Sequence, residues 1–235
     1  MNRRIAWAAL AVASLVLLGA CGGGDDTPSA SATAVVADVS GSAEKLGLRE
    51  DATTELGAAV RAMSAPAKVF LIAFNTEVGS SVCSPVTVDL PWSDVSTDIE
   101  DTKASYEPQA LAAADPYLEC ARTSVKKDGT DVFGGIAAGH QLIKAAPGTK
   151  KLVLVTDGCH TYQFKTCVKQ VADADWRAAK VAGLDDTMKP DLAGVDITIK
   201  GLARGSHLQS AQVQGLRAFY EEYAETTGAA LTFSE

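Results

Sequence analysis

Residues 151–158 read Lys-Leu-Val-Leu-Val-Thr-Asp-Gly, an apolar run that stops at an acidic residue and a glycine. A continuous run of aliphatic residues predicts a strand that is buried on both faces, as in a parallel sheet. Residues 131–145 before it have helical apolar spacing, and residues 167–182 after it also read as a helix. A buried strand between two helices is typical of an α/β fold.

The same alternation extends along the rest of the chain. Strands are predicted at residues 33–37, 68–74, 82–90, 195–199 and 229–233, and helices at 48–63 and 210–226. Periodicity is weak over residues 93–127, where only 110–114 is predicted as a short helix, closed by Pro116. The sequence therefore predicts one three-layer, doubly wound α/β domain over residues 32–235, with a mainly parallel six-stranded sheet and helices on both faces.

Composition excludes several classes of protein. The chain has 235 residues, of which 47% are apolar, and this rules out a disordered tail, a collagen and a coiled coil. Its 21 Lys and Arg residues stand against 29 Asp and Glu residues, for a net charge of −8. Because basic residues are neither in excess nor clustered, we expect no nucleic-acid partner.

The amino terminus has the features of an export signal. Arg3 and Arg4 precede an uncharged run over residues 5–20, which is shorter than the roughly 20 residues that span a bilayer. The run ends in Leu18-Gly19-Ala20-Cys21, which resembles the lipobox of bacterial lipoproteins. An ordinary signal peptide followed by an incidental cysteine is the alternative.

The lipobox resemblance implies a specific processing of the chain. Residues 1–20 would be removed, Cys21 would carry acyl chains such as palmitate, and residues 21–31 would form a flexible tether. We therefore expect an exported protein that is anchored by lipid to the outer face of a bacterial membrane.

Four further cysteines are expected to form disulfides, because export places them in an oxidising compartment. They allow three pairings, and proximity in the sequence favours Cys83–Cys120 and Cys159–Cys167. A redox or metal-thiolate site would need a Cys-x-x-Cys spacing, which the sequence lacks.

Oxygen-bearing side chains occur at three places that a parallel sheet brings to one edge. Asp38-Val39-Ser40-Gly41-Ser42 follows the first strand, Gly129-Thr130-Asp131 precedes a helix, and Asp157-Gly158 follows the strand at 151–156. Ligands bind beyond the carboxyl ends of the strands in such folds. Two carboxylates and three hydroxyls suit Mg²⁺, with Mn²⁺ or Ca²⁺ also possible. The predicted metal ligands are Asp38, Ser40, Ser42, Thr130 and Asp157.

Together these motifs resemble the metal-ion-dependent adhesion site of the von Willebrand factor A (vWA) family. The resemblance implies that Ser40, Ser42 and Thr130 contact the metal directly or by turns, while Asp38 and Asp157 act partly through water. It also implies a protein ligand whose acidic residue completes the metal shell, in cell adhesion or in assembly of an envelope complex. Members of the family are usually not enzymes.

Other interpretations remain open from the sequence. Asp38 and Asp157 could be turn-forming residues at strand ends, and Ser40 and Ser42 could be helix caps. A metal-dependent envelope hydrolase would need a general base, for which the candidates are Asp131, Asp157 and His160. A scaffold with a vestigial metal site is a third possibility. Gly134-Gly135 near a helix start predicts either close packing or mobility.

Overall fold

The computed structural model describes residues 30–76, 83–91, 96–124 and 129–235. Within these residues, six strands form one sheet in the order β3-β2-β1-β4-β5-β6. The strands are β1 (Ser31–Asp38), β2 (Ala67–Phe74), β3 (Val86–Leu90), β4 (Thr149–Val155), β5 (Val195–Lys200) and β6 (Ala230–Ser234). Only the edge strand β3 is antiparallel to its neighbour, so the prediction of a mainly parallel six-stranded sheet is confirmed.

Helices cover both faces of this sheet. They are α1 (Gly41–Lys45), α2 (Leu48–Arg61), α3 (Ser96–Thr123), α4 (Val132–Ile143), α5 (Ala174–Ala182) and α6 (Ser210–Thr227), with 3₁₀ turns at Lys169–Ala172 and Asp186–Met188. Val35 and Ala37 of β1 pack with α2 and α3 in one core, whereas Ala34 and Val36 pack with α4 and α6 in the other. This alternation along one strand gives the three layers that the sequence predicts.

The predicted amino-terminal segments are only partly described. The signal peptide, Cys21 and the tether as far as residue 29 lie outside the described residues. None of the helices in the described ranges combines the length and the apolar character that a membrane span requires.

The long helix α3 corrects the prediction for residues 93–127, which placed only a short helix at 110–114. α3 has 28 residues and continues through Pro108 and Pro116. Its buried stripe consists mostly of small residues, so the periodicity is weak in the sequence, and it packs against α2 and β3. Tyr117 follows Pro116 directly, and its hydroxyl accepts a hydrogen bond at 2.8 Å from the Ala73 N–H of β2. Tertiary packing therefore outweighs the helix-breaking tendency of these prolines.

The single helix predicted over residues 167–182 is also wrong. A 3₁₀ turn over Lys169–Ala172 is followed by Asp173, which has an extended backbone and starts α5. The Asp173 carboxylate accepts a hydrogen bond from the Trp176 N–H at 2.8 Å, which caps the new helix. A local capping residue thus divides a segment that periodicity alone reads as continuous.

Gly135 of α4 lies in close contact with β2, which favours the close-packing interpretation of Gly134-Gly135. A Cβ atom at position 135 would lie 2.9 Å from ring atoms of Phe74, which is buried. An ordinary Cβ contact is longer than this, so the glycine permits the approach of α4 to the sheet. Asp131 caps the start of α4 and Thr130 precedes it, so this packing also helps to position these two residues at the edge of the sheet.

We expect Gly135→Ala to lower the free energy of unfolding by about 1–3 kcal/mol, because the added methyl group overpacks the contact with Phe74. Alanine would otherwise stabilise a helix interior by about 1 kcal/mol relative to glycine. Urea denaturation measures the difference. A variant more stable than the wild type would contradict the close packing of α4 on β2.

Candidate metal centre

A cleft of about 840 Å³ lies at the carboxyl ends of β1 and β4. Four of the five predicted metal ligands line it, namely Ser40, Ser42, Thr130 and Asp157. The fifth, Asp38, is buried and hydrogen-bonds to the backbone of Ser40. The fold therefore brings all five residues together from three distant parts of the chain.

Asp38 is held in place by the neighbouring strand. The parallel register pairs Ala37 with Val155, so the ends of β1 and β4 lie side by side. Asp38 Oδ1 accepts a hydrogen bond from the Ser40 N–H, and Oδ2 accepts one from the Thr156 hydroxyl, both at 2.9 Å. Because a carboxylate oxygen has two acceptor positions, each oxygen can still accept a further bond.

Burial gives the Asp38 carboxyl an unusual protonation equilibrium. Loss of solvation raises its pKa from 3.8 to about 6, although hydrogen bonds from Ser40 and Thr156 oppose the shift. The nearby charge of Asp157 raises the pKa of Asp38 further. Two carboxylates thus lie close enough to repel each other.

Ser40 and Ser42 lie at the start of the short helix α1. Ser40 occupies the N-cap position, but its side chain makes no capping hydrogen bond. Its hydroxyl oxygen instead lies 3.1 Å from that of Ser42. The helix-cap interpretation therefore does not account for Ser40, and the two hydroxyl oxygens converge toward the cleft that both residues line.

Thr130 is positioned by Thr161, which lies in the segment that follows β4. Its N–H donates to the Thr161 hydroxyl at 2.8 Å, and its carbonyl accepts from the Thr161 N–H at 2.9 Å. The next residue, Asp131, donates its N–H to the Asn75 carbonyl at 2.7 Å and caps α4 through its carboxylate. Thr130 is buried and faces the same cleft as Ser40.

Asp157 forms a tight turn and still presents an oxygen to the cleft. Oδ1 accepts the Cys159 N–H at 2.8 Å, whereas Oδ2 has no hydrogen-bond partner among the described residues. Burial raises the pKa of Asp157 as well. The turn-forming interpretation thus accounts for one oxygen only. The Gly158 that follows has φ +76°, and its carbonyl accepts a bond from the Tyr220 hydroxyl at 2.7 Å.

His160 is enclosed by protein rather than open to the cleft. Its side chain is fully buried, with ring centroids 4.9 Å from Phe133 and 4.8 Å from Phe164. Nδ1 accepts the Val132 N–H at 3.3 Å, and burial lowers the pKa of His160 from 6.5 to about 4. The imidazole is therefore neutral at physiological pH.

The chemistry of the site fits a hard divalent cation. Two carboxylates and three hydroxyls are oxygen donors of the kind that Mg²⁺ and Mn²⁺ prefer. In the described part of the chain neither Asp38 nor Asp157 forms an ion pair, so nothing there neutralises the two carboxylates. No group of three His, Cys, Asp or Glu side chains suited to a metal occurs in the described residues.

Three supporting residues were not predicted. Thr156 could have been found, because it ends the strand beside Asp38 and the parallel register places its hydroxyl there. Thr161 gave no signal, since it lies 31 residues from Thr130 in the sequence. Tyr220 comes from α6 and was expected only as part of a helix.

Comparisons with known proteins reveal distant similarity only. No protein family and no curated protein matches this chain. Among solved structures, it is similar to an aerotolerance-related membrane protein from Bacteroides fragilis, with 17% identity, 88% of this chain and 92% of that chain covered, and a TM-score of 0.39. BatB from Bacteroides thetaiotaomicron is 13% identical over 88% of this chain and 90% of its own, with a TM-score of 0.41.

A third similar structure is the PilB minor pilin from Streptococcus sanguinis. It is 12% identical over 87% of this chain and 56% of its own, with a TM-score of 0.48. Similarities of this degree do not bear on function. The residues of the cleft itself carry the functional argument.

Asp38 and His160 should have opposite effects on stability over the same pH range. The pKa of Asp38 is raised in the folded state, so stability falls as pH rises from about 4 to 6 and Asp38 ionises. The pKa of His160 is lowered, so stability is lost as pH falls from 6.5 to about 4. Each effect is on the order of 3 kcal/mol.

We therefore expect the free energy of unfolding, measured by urea denaturation in EDTA, to change its pH dependence in two variants. Between pH 4 and 6.5, Asp38→Asn should give a more positive slope against pH than the wild type, and His160→Asn a more negative one. Asparagine at position 160 keeps an acceptor for the Val132 N–H. Equal slopes in all three proteins would contradict the assignment of these buried groups.

Proposed function

We propose that this chain is a vWA-type binding module that holds a divalent cation, most simply Mg²⁺, at the cleft and captures a protein ligand through it. The convergence of Ser40, Ser42, Thr130 and Asp157 on one cleft, with Asp38 hydrogen-bonded behind them, is the observation that carries the proposal. Ser40, Ser42 and Thr130 would bind the cation directly, and Asp38 and Asp157 would hold its water molecules. The bound cation would supply a Lewis-acid position for an acidic residue of the ligand.

The electrostatics of the cleft support this proposal. Burial raises the pKa of Asp38, and the neighbouring charge of Asp157 raises it further. A divalent cation between them would remove this repulsion and compensate the loss of solvation. Because its proposed direct ligands are neutral hydroxyls, the cation would still attract a carboxylate of the ligand.

We also propose that the module works outside the cytoplasm, held to a membrane by a lipid on Cys21. The support is the lipobox-like sequence together with two disulfides, Cys83–Cys120 and Cys159–Cys167, which join the pairs that the sequence favours. Disulfides of this kind persist in oxidising compartments. In an envelope setting the ligand would be a protein of the same envelope or of a contacted surface.

A hydrolase receives less support from the same cleft. Of its three candidate general bases, Asp131 is engaged as a helix cap and His160 is fully buried between aromatic rings. Asp157 is the one of these three that lines the cleft.

We expect Mg²⁺ to raise the melting temperature of the wild-type protein. At a hundredfold excess over its dissociation constant, a ligand of the folded state contributes about 2.7 kcal/mol, or about 5–10 °C for a domain of this size. Thr130→Val removes one hydroxyl and should abolish the shift. Differential scanning calorimetry with Mg²⁺ and with EDTA measures both proteins.

Ser206→Ala is the matched control, because Ser206 also lines the cleft but its hydroxyl donates to the Ala203 carbonyl. This variant should keep the full Mg²⁺ shift. Circular dichroism establishes that each variant is folded. Melting curves that coincide in Mg²⁺, Mn²⁺, Ca²⁺ and EDTA would contradict the proposal and favour a scaffold with a vestigial site.

A further inference from the structure

The cleft carries cationic side chains that the metal centre does not use. Lys45 and Lys169 both line it and both are exposed, whereas the chain as a whole has a net charge of −8. Among the described residues that line this cleft, Asp157 is the one carboxylate. The described lining of the cleft therefore has more positive than negative side chains, although the chain as a whole is acidic.

The backbone positions of the two lysines are tied to the segments that carry proposed metal ligands. Lys45 follows Ser42 by three residues on α1, so the two side chains lie on the same face of that helix. Lys169 follows Cys167 by two residues, and the Cys159–Cys167 disulfide joins that segment to the turn that begins at Asp157. Lys45 thus lies on the helix that carries Ser42, and Lys169 lies beside a segment that a disulfide joins to the turn of Asp157.

Neither lysine is neutralised by a neighbour. Some other cations are paired, as in Arg204 with Asp51 and Lys200 with Glu55, whereas others such as Lys144 have no ion pair among the described residues. Among the described residues, Lys45 and Lys169 form no ion pair. Their charges are available to a ligand in the cleft.

We propose that the ligand is a protein segment with several acidic side chains, one for the cation and others for Lys45 and Lys169. This inference rests on the proposed function, because the first carboxylate is the one that the cation binds. With the cation in place, two carboxylates and two ammonium groups leave the cleft net positive, and a cleft of one sign concentrates oppositely charged partners.

The overall charge of the chain favours a short acidic segment over a long polyanion. A nucleic acid or another uniform polyanion would extend beyond the cleft over a protein whose net charge is −8. A few clustered Asp or Glu residues on an otherwise ordinary protein would place negative charge only where the lysines lie. Local attraction then outweighs the long-range repulsion, which salt screens beyond about 8–10 Å.

The test uses a fluorescent hexaglutamate peptide and a Gly-Ser peptide of equal length with a single glutamate, measured by fluorescence anisotropy in excess Mg²⁺. Lys45→Glu and Lys169→Glu should each weaken hexaglutamate binding about three- to tenfold, as expected for reversal of an exposed charge. Their effect on the single-glutamate peptide should be less than twofold. Added salt should weaken hexaglutamate more than the single-glutamate peptide.

Lys144→Glu is the matched control, because Lys144 is also an exposed lysine at the end of a helix but does not line the cleft. If the two cleft variants bind hexaglutamate as Lys144→Glu does, the inference is overturned. It is also overturned if an oligothymidylate of equal charge binds as tightly as hexaglutamate.

The outcomes separate this inference from the proposed function. Mg²⁺-dependent binding that is insensitive to both lysines overturns the acidic-segment inference and leaves the metal-based function standing. Lysine-dependent binding that is the same in Mg²⁺ and in EDTA supports an acidic ligand and overturns the metal-based function.

Discussion

The buried carboxylate of Asp38 is the constraint on which the arrangement of the site depends. It ends β1 in the interior, where it accepts hydrogen bonds from the hydroxyl of Thr156, the residue after β4, and from the Ser40 N–H. A carboxylate loses solvation in such a position and must recover it from fixed dipoles or from a cation. The loop that follows β1 and the turn that follows β4 therefore interact electrostatically, since the charge of Asp157 raises the pKa of Asp38.

Some of the hydrogen bonds that hold these residues join neighbours in the sequence, and others join distant parts of the chain. The Asp38 carboxylate accepts a hydrogen bond from the Ser40 N–H, and the Asp157 carboxylate accepts one from the Cys159 N–H. Thr130 instead depends on Thr161, which clamps both of its main-chain polar groups. The position of the third motif is thus set by the segment after β4, which also supplies Asp157.

The sequence predicts those parts of the molecule whose signals are local. Residues 151–156 are identified as a strand because a strand buried on both faces is continuously apolar. The length of α3 was missed because its buried stripe is rich in alanine and contains prolines that packing tolerates. Likewise, the position of Asp157 can be predicted because ligand-binding residues follow the carboxyl ends of parallel strands. The positions of Thr161 and Lys169 depend on how a loop folds back, which the spacing of apolar residues does not indicate.

The disulfide between Cys159 and Cys167 has a consequence for the timing of assembly. It closes the loop that contains Thr161, and Thr161 in turn holds Thr130. A chain still in a reducing cytosol would lack this closure and would hold Thr130 less firmly. Under the proposed export, oxidation outside the cytosol would add this closure, and the proposed metal site would gain its full rigidity only there.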